Sequence, residues 1–232
     1  MADDSHTAFQ RYDSSSSGSP SPSARESARA SSALASARAR QTATRVSNEV
    51  LLDAARECVL AVGLRRTTLA EIARTAKVSR MTLYRRFPDV RSVLAALTTR
   101  EFGAVLRQAD TEGATAPTAR ERLTRSAVAA VRLLNADPLM RTVLDKDSGV
   151  LLPHVVARLG RTQRFGEQVI SALLETGRKD GSIRAGHPRA QARAILLMVQ
   201  SFVLSLRAAT ADVDAGALLA EFAHQLDAAL RP

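Results

Sequence analysis

Between residues 68 and 85 the chain gathers Thr68, Lys77, Ser79, Arg80, Met81, Thr82, Tyr84 and Arg85. These are three hydroxyls, three cations, a phenol and a thioether, all suited to contacting a polyanion. Thr68, Ser79 and Tyr84 can donate to phosphate oxygens, and so can the free N–H groups at a helix start. Arginine can bond the O6 and N7 of guanine, and a methyl or thioether can meet the thymine methyl. Catalytic chemistry finds no comparable cluster. The four histidines, His6, His154, His187 and His224, show no metal-binding spacing, and Cys58 is the only cysteine. No nucleophile elbow, phosphate-cradling glycine loop or acid/base pair stands out. The expectation is therefore a protein without metal or cofactor that is not an enzyme.

Local sequence signals say how those residues are held. Val50, Leu51, Ala54, Ala55, Cys58, Val59 and Val62 recur at three- and four-residue spacing, the stripe of an amphipathic helix that Gly63 can end. On that stripe Cys58 is a small core residue. Thr68-Leu69-Ala70-Glu71 matches a capping box, and a short helix follows to about Thr75. Ala76–Ser79 breaks it, and Ser79 can cap a second helix from Arg80 to Phe87. Pro88 stops that one, and Asp89 can start a long helix from Val90 to about Ala109. With Leu69, Ile72, Ala73, Val78 and Leu83 turned inward, the two short helices form a helix-turn-helix. Arg80, Met81, Thr82, Tyr84 and Arg85 are then left outside.

The wider composition agrees. Half of the +10 net charge lies in residues 46–100, which hold 10 Arg/Lys and 5 Asp/Glu, as expected of an electrostatic footprint for phosphate. Hydrophobic residues make up 45% but aromatics only 3%, with Ala and Leu dominant, a mixture that favours helix. Residues 1–44, rich in Ser, Ala and Arg, read as a disordered tail. Its arginines (Arg25, Arg29, Arg38, Arg40 and neighbouring Arg45) are either solvated or an arm that contacts DNA. The acidic start, Met1 to Asp4, has no apolar core of a secretory signal. Ala194–Leu206 is apolar but too short to span a bilayer, so a cytoplasmic location is expected.

The run from Gly63 to Ala73, followed by Ala76-Lys77-Val78-Ser79 and Thr82-Leu83-Tyr84-Arg85-Arg86-Phe87-Pro88, resembles the DNA-binding domain of the TetR/AcrR transcriptional regulators. The resemblance spans about 55 residues, Val46–Arg100, and beyond them only helical texture and length agree. It implies a homodimeric regulator, usually a repressor, released from a palindromic double-stranded DNA operator by a small molecule. It also implies that Thr68, Ser79 and Tyr84 hold the DNA backbone while Arg80, Met81 and Thr82 reach base edges. Two positions depart from the family's pattern. Lys77 stands where a turn glycine is usual, and Val90 stands where a lysine commonly opens the fourth helix, with Arg91 beside it. An architectural or partner-controlled DNA-binding protein without an effector is the alternative reading.

The expected fold is thus all-α. It comprises a three-helix DNA-binding domain over 45–100 and a helical effector-binding and dimerisation domain over 101–232. Helices are expected at about Thr118–Asn135, Pro138–Asp147, Leu151–Leu159, Thr162–Arg178, His187–Ala209 and Asp214–Leu230, with a turn at Asp180-Gly181. Candidate effector contacts by residue type are Phe102, Met140, His154, Phe165, Gln168, Met198 and Phe202, all of which suit plain core as well. Because 194–206 is apolar nearly all round, it must be buried on more than one side. That places Ile195, Met198, Phe202, Leu219, Phe222 and Leu226 as candidate dimer contacts.

Overall fold

A computed structural model describes residues 48–156 and 159–232, with side chains omitted over 150–158. The expected tail and the side chain of His154 lie outside the described residues. Helix α1 runs over 48–62, and Gly63 ends it at φ 85°, its N–H bonding the Val59 carbonyl at 2.8 Å. Then come α2 (Leu69–Thr75), α3 (Arg80–Tyr84), α4 (Val90–Gly113) and α5 (Ala119–Ala136). The chain continues through α6 (Pro138–Val156), α7 (Arg161–Lys179), α8 (Pro188–Ala209) and α9 (Ala215–Leu230). Among the described residues there is no strand.

Short polar side chains start most of these helices, each accepting from a backbone N–H that no carbonyl of its own helix can reach. Ser79, Asp89, Thr118 and Asp214 do so for α3, α4, α5 and α9, and the His187 ring does so for α8. Two of the longer helices depart from expectation. α4 runs on to Gly113, past the expected end near Ala109. The two segments expected either side of residue 149 form one helix, α6, kinked at Asp147 (φ −133°, ψ 21°).

Among the described residues two large apolar cores result, beside a small cluster of Ala109, Ala129 and Ala130. Leu51, Ala55, Val59, Ile72, Leu83 and Leu97 anchor the first, which closes the helix-turn-helix unit. Leu123, Val131, Leu174, Ile195, Phe222 and Leu226 belong to the second. Helix α6 serves both: Leu139 and Val143 enter the first core, while Met140 enters the second. Helix α4 likewise starts in the first core with Val93 and Leu97 and packs Phe102 and Val105 against the second. Any movement of either helix is therefore felt in both domains, because close-packed interiors transmit displacement.

Helix α8 buries Ile195, Leu196, Val203 and Leu206 on one side and exposes Ala194, Leu197, Met198, Ser201 and Ser205 on the other. It is the one described helix long and apolar enough, by length and composition, to cross a membrane. It also carries Arg189, Arg193 and Arg207. The positions expected at a dimer contact separate on this structure. Ile195, Phe222 and Leu226 are at most 3% exposed and belong to the subunit's own core. Phe202 stacks on Phe222 with ring centroids 4.3 Å apart, and Leu219 is half-buried. Only Met198 stands clearly outward, because apolarity alone does not say which side of a helix its own subunit covers.

Candidate nucleic-acid interface

The interface is built from helix ends. Thr68 caps α2 with a complete capping box: Glu71 N–H donates to Thr68 Oγ1 at 3.3 Å, and Thr68 N–H donates to Glu71 Oε2 at 3.1 Å. The C-terminal end of α2 closes as a Schellman turn. Lys77 N–H bonds the Arg74 carbonyl at 3.1 Å, and Val78 N–H bonds the Ala73 carbonyl at 3.0 Å. That motif puts its C′ residue in the left-handed region, and here the residue is Lys77, at φ 54°. Among the described residues Lys77 is the only non-glycine with positive φ. The expected conflict at the turn is real, and its cost is about 1 kcal/mol against glycine.

Ser79 caps α3, accepting from Thr82 N–H at 3.1 Å, while the Ser79 and Thr82 hydroxyls lie 2.8 Å apart. Behind the helix, Leu83 is fully buried and Phe87 nearly so. In front, Met81 is 70% and Tyr84 50% exposed, and Thr68, Lys77, Ser79, Arg80, Thr82 and Arg85 are exposed as well. The α-helix ends at Tyr84, short of the expected Phe87. Arg86 and Phe87 both donate their N–H to the Leu83 carbonyl at 2.9 Å, which tightens the last turn and swings Phe87 into the core. All eight expected contact residues therefore lie on the surface around α3, and two buried anchors fix the helix from behind. A short rod so held presents cations, hydroxyls and a thioether without needing to reorganise.

Around that surface the framework is pinned. Arg86 Nη1 donates to Asn48 Oδ1 at 2.7 Å, and Arg100 pairs with Glu49 at 3.0 Å, Asp53 at 2.7 Å and Glu101 at 2.7 Å. Those bonds tie α1 to α3 and α4. Val90 packs half-buried against the first core, and exposed Arg91 follows it. Asp147 accepts from the backbone of Leu64 and Arg65 in the turn before α2. Residue types did not point to it, because its partners lie over 80 residues away in sequence.

A cavity of about 240 Å³ opens in the second domain between α4, α5, α7 and α8. Of the expected effector residues, Phe102 and Met140 line it. Phe165 and Gln168 instead border an adjoining surface groove that shares Phe102 and Thr162 with the cavity, Met198 is exposed, and Phe202 packs on Phe222. The α8 wall is Leu196, Val199, Gln200, Val203 and Leu204, a stripe one residue along from the one apolarity suggested. Gln163 of α7 and Gln200 are bonded to each other in this wall at 2.6 Å. The visible signal was Gln200 itself, a polar residue within an otherwise apolar run.

Comparison with known proteins matches this architecture. Residues 51–97 fit the family model described as bacterial regulatory proteins, tetR family, and residues 116–204 fit the tetracyclin repressor-like C-terminal domain. An uncharacterised HTH-type transcriptional regulator of Mycobacterium bovis is 37% identical over 177 residues, covering 76% of this chain and 90% of the relative. Among solved structures, a TetR-family transcriptional regulator from Pectobacterium atrosepticum superposes with a TM-score of 0.61 at 20% identity, covering 81% of this chain and 93% of that one. The transcriptional regulator FadR from Bacillus subtilis, in complex with stearoyl-CoA, gives 0.60 at 20% identity, covering 79% and 99%. At such identities the structures speak for the fold alone. With both family domains matched in order and a relative aligned along most of its length, the chain belongs to the TetR family of bacterial transcriptional regulators.

Proposed function

We propose that this chain is a cytoplasmic, dimeric repressor, not an enzyme, that reads a palindromic operator through α3 and leaves it when a small molecule occupies the cavity between α4, α5, α7 and α8. The observation that carries the reading is the placement of α3: Leu83 and Phe87 hold it from behind while Arg80, Met81, Thr82, Tyr84 and Arg85 face outward. Arg80, Met81 and Thr82 are the base-reading residues of this proposal. Thr68, Lys77, Ser79, Tyr84 and Arg85 position the backbone.

One such helix reads only a few base pairs, so two copies related by a twofold axis are needed, spaced about one DNA turn apart. The exposed side of α8, with Leu197 and Met198, supplies the apolar surface for pairing. Coupling between effector and operator follows from α4 and α6. Phe102 of α4 and Met140 of α6 line the cavity, while Leu97 and Val143 of the same helices enter the DNA-binding core. The FadR structure adds that a protein of this fold binds a ligand, stearoyl-CoA in that case.

The test is selection of DNA from a random pool, followed by titration of the enriched duplex against random duplex. Arg80→Ala should weaken the enriched sequence by about 1–3 kcal/mol and random duplex far less. Equal losses on both would remove base reading from α3. About 6–10 phosphate contacts per dimer give a log–log salt slope of about −5 to −9.

A further inference from the structure

We propose that the cavity takes a neutral, mainly aliphatic molecule of about ten non-hydrogen atoms whose carbonyl oxygen accepts a hydrogen bond from the Gln200 side-chain amide. The proposal rests on the reading of this cavity as the effector site and adds what kind of molecule fits it.

The direction of the amides follows from donor chemistry. The backbone N–H of Gly160 can only donate, and it points at Gln163 Oε1, 2.7 Å away. Gln163 must therefore turn its Nε2 toward Gln200, whose Oε1 accepts at 2.6 Å. Gln200 Nε2 is left on the opposite side of its amide, and no acceptor holds it among the described residues. The chain Gly160, Gln163, Gln200 thus ends in a donor on a side chain that lines the cavity. Each bond in the series polarises the next.

Charge and size narrow the class. Among the described residues, no side chain lining the cavity is ionisable, and its walls are such residues as Phe102, Leu134, Met140, Leu196 and Val203. Against these walls a carboxylate would lose its hydration with no cation to compensate, and an ammonium would meet no anion. An ammonium would also turn N–H toward N–H at Gln200. A cavity of 150 Å³ holds one benzene. In proportion, about 240 Å³ holds about ten non-hydrogen atoms.

The experiment uses the full chain with 2-nonanone and octanoate as probes of matched size, followed by thermal unfolding and by titration of the enriched operator. The ketone should bind more tightly than the carboxylate. Gln200→Leu should weaken the ketone about tenfold, and Gln200→Glu, which replaces the donor with an acceptor, by at least as much. The cavity-filling variant Val199→Phe should bind neither probe. Ketone binding unchanged in either Gln200 variant overturns recognition by the amide, and octanoate binding tighter than ketone overturns neutrality. Absence of any binding to the wild type overturns the class. Tight ketone binding that spares operator affinity supports the class but removes the effector reading of the cavity.

Discussion

Asp147 Oδ2 accepts a 2.6 Å hydrogen bond from the backbone N–H of Leu64, across 83 residues of chain. Its other oxygen accepts from Arg65 N–H at 3.3 Å, and the residue is 4% exposed. Lys146 alongside places its ammonium 3.4 Å from the Leu60 carbonyl and 3.3 Å from that of Ala61. The kink of α6 thus supplies a cation to the last carbonyls of α1, in keeping with the polarity of a helix C-terminus, and a hydrogen-bond acceptor to the two N–H groups that follow. Asp147→Ala leaves two N–H groups without acceptors and should cost about 1–3 kcal/mol in urea unfolding. Asp147→Asn keeps one acceptor oxygen and should cost less. Wild-type stability in the alanine variant would show that the kink holds nothing.

The same joint restricts Gly63. A Cβ built there would lie 2.6 Å from Asp147 Oδ2, and the residue sits at φ 85°. Gly63→Ala should therefore destabilise by more than the roughly 1 kcal/mol of left-handed strain alone. Combined with Asp147→Ala, the excess should vanish, leaving the strain term. A double-mutant cycle on thermal melts checks this, and strict additivity would refute the clash.

Lys77 poses the opposite trade. Its φ of 54° makes Lys77→Gly stabilising by up to about 1 kcal/mol, since glycine occupies this region without a Cβ penalty. If the ammonium contacts phosphate, the same variant should bind the operator more weakly and lower the magnitude of the dimer's salt slope by about two, one for each subunit. Stability and affinity should move in opposite directions. A glycine variant that gains stability and keeps its full salt slope would strip Lys77 of a DNA role.

What could be read from sequence alone follows from distance along the chain. Thr68, Ser79, Asp89, Thr118, His187 and Asp214 were legible as helix starts because a cap bonds an N–H only two or three residues on. The outward face of α3 was legible for the same reason, Leu83 and Phe87 being four apart. Asp147 was not, since nothing local distinguishes a buried inter-helix acceptor from a surface aspartate. On α8, apolar residues occur on every side, so pattern could not separate Ile195, which faces the core, from Leu197, which is half exposed. Gln163 and Gln200 meet only once α7 and α8 pack together.

Neighbouring residues on α3 should respond in opposite ways. Leu83 is fully buried, so Leu83→Ala should cost about 2–5 kcal/mol and abolish operator binding through loss of the folded domain. Tyr84 is 50% exposed, so Tyr84→Phe should leave unfolding within about 0.5 kcal/mol of wild type. It should still weaken enriched and random duplex alike, because a lost phosphate contact carries no sequence information. A phenylalanine variant that discriminates between the two duplexes would move Tyr84 from the backbone to the bases.

Acid should loosen the second domain at one identifiable place. Asp180, just beyond α7, is held below its ordinary value of 3.8, first by hydrogen bonding with Ser182 and then by the Ala119 N–H at the start of α5. Its Oδ2 accepts from Ala119 N–H at 2.9 Å and its Oδ1 from Ser182 N–H at 2.8 Å. Because the folded value is the lower one, the unfolded chain takes up the proton first as pH falls. The contribution is complete above the ordinary value and disappears as pH drops through the depressed one. Urea midpoints measured from about pH 5 down to about pH 3 should decline less steeply in Asp180→Asn than in the wild type. The asparagine variant should start from a lower midpoint at neutral pH, since its amide can accept through only one oxygen where the carboxylate uses both. Parallel declines in the two proteins would assign the acid sensitivity to other carboxylates.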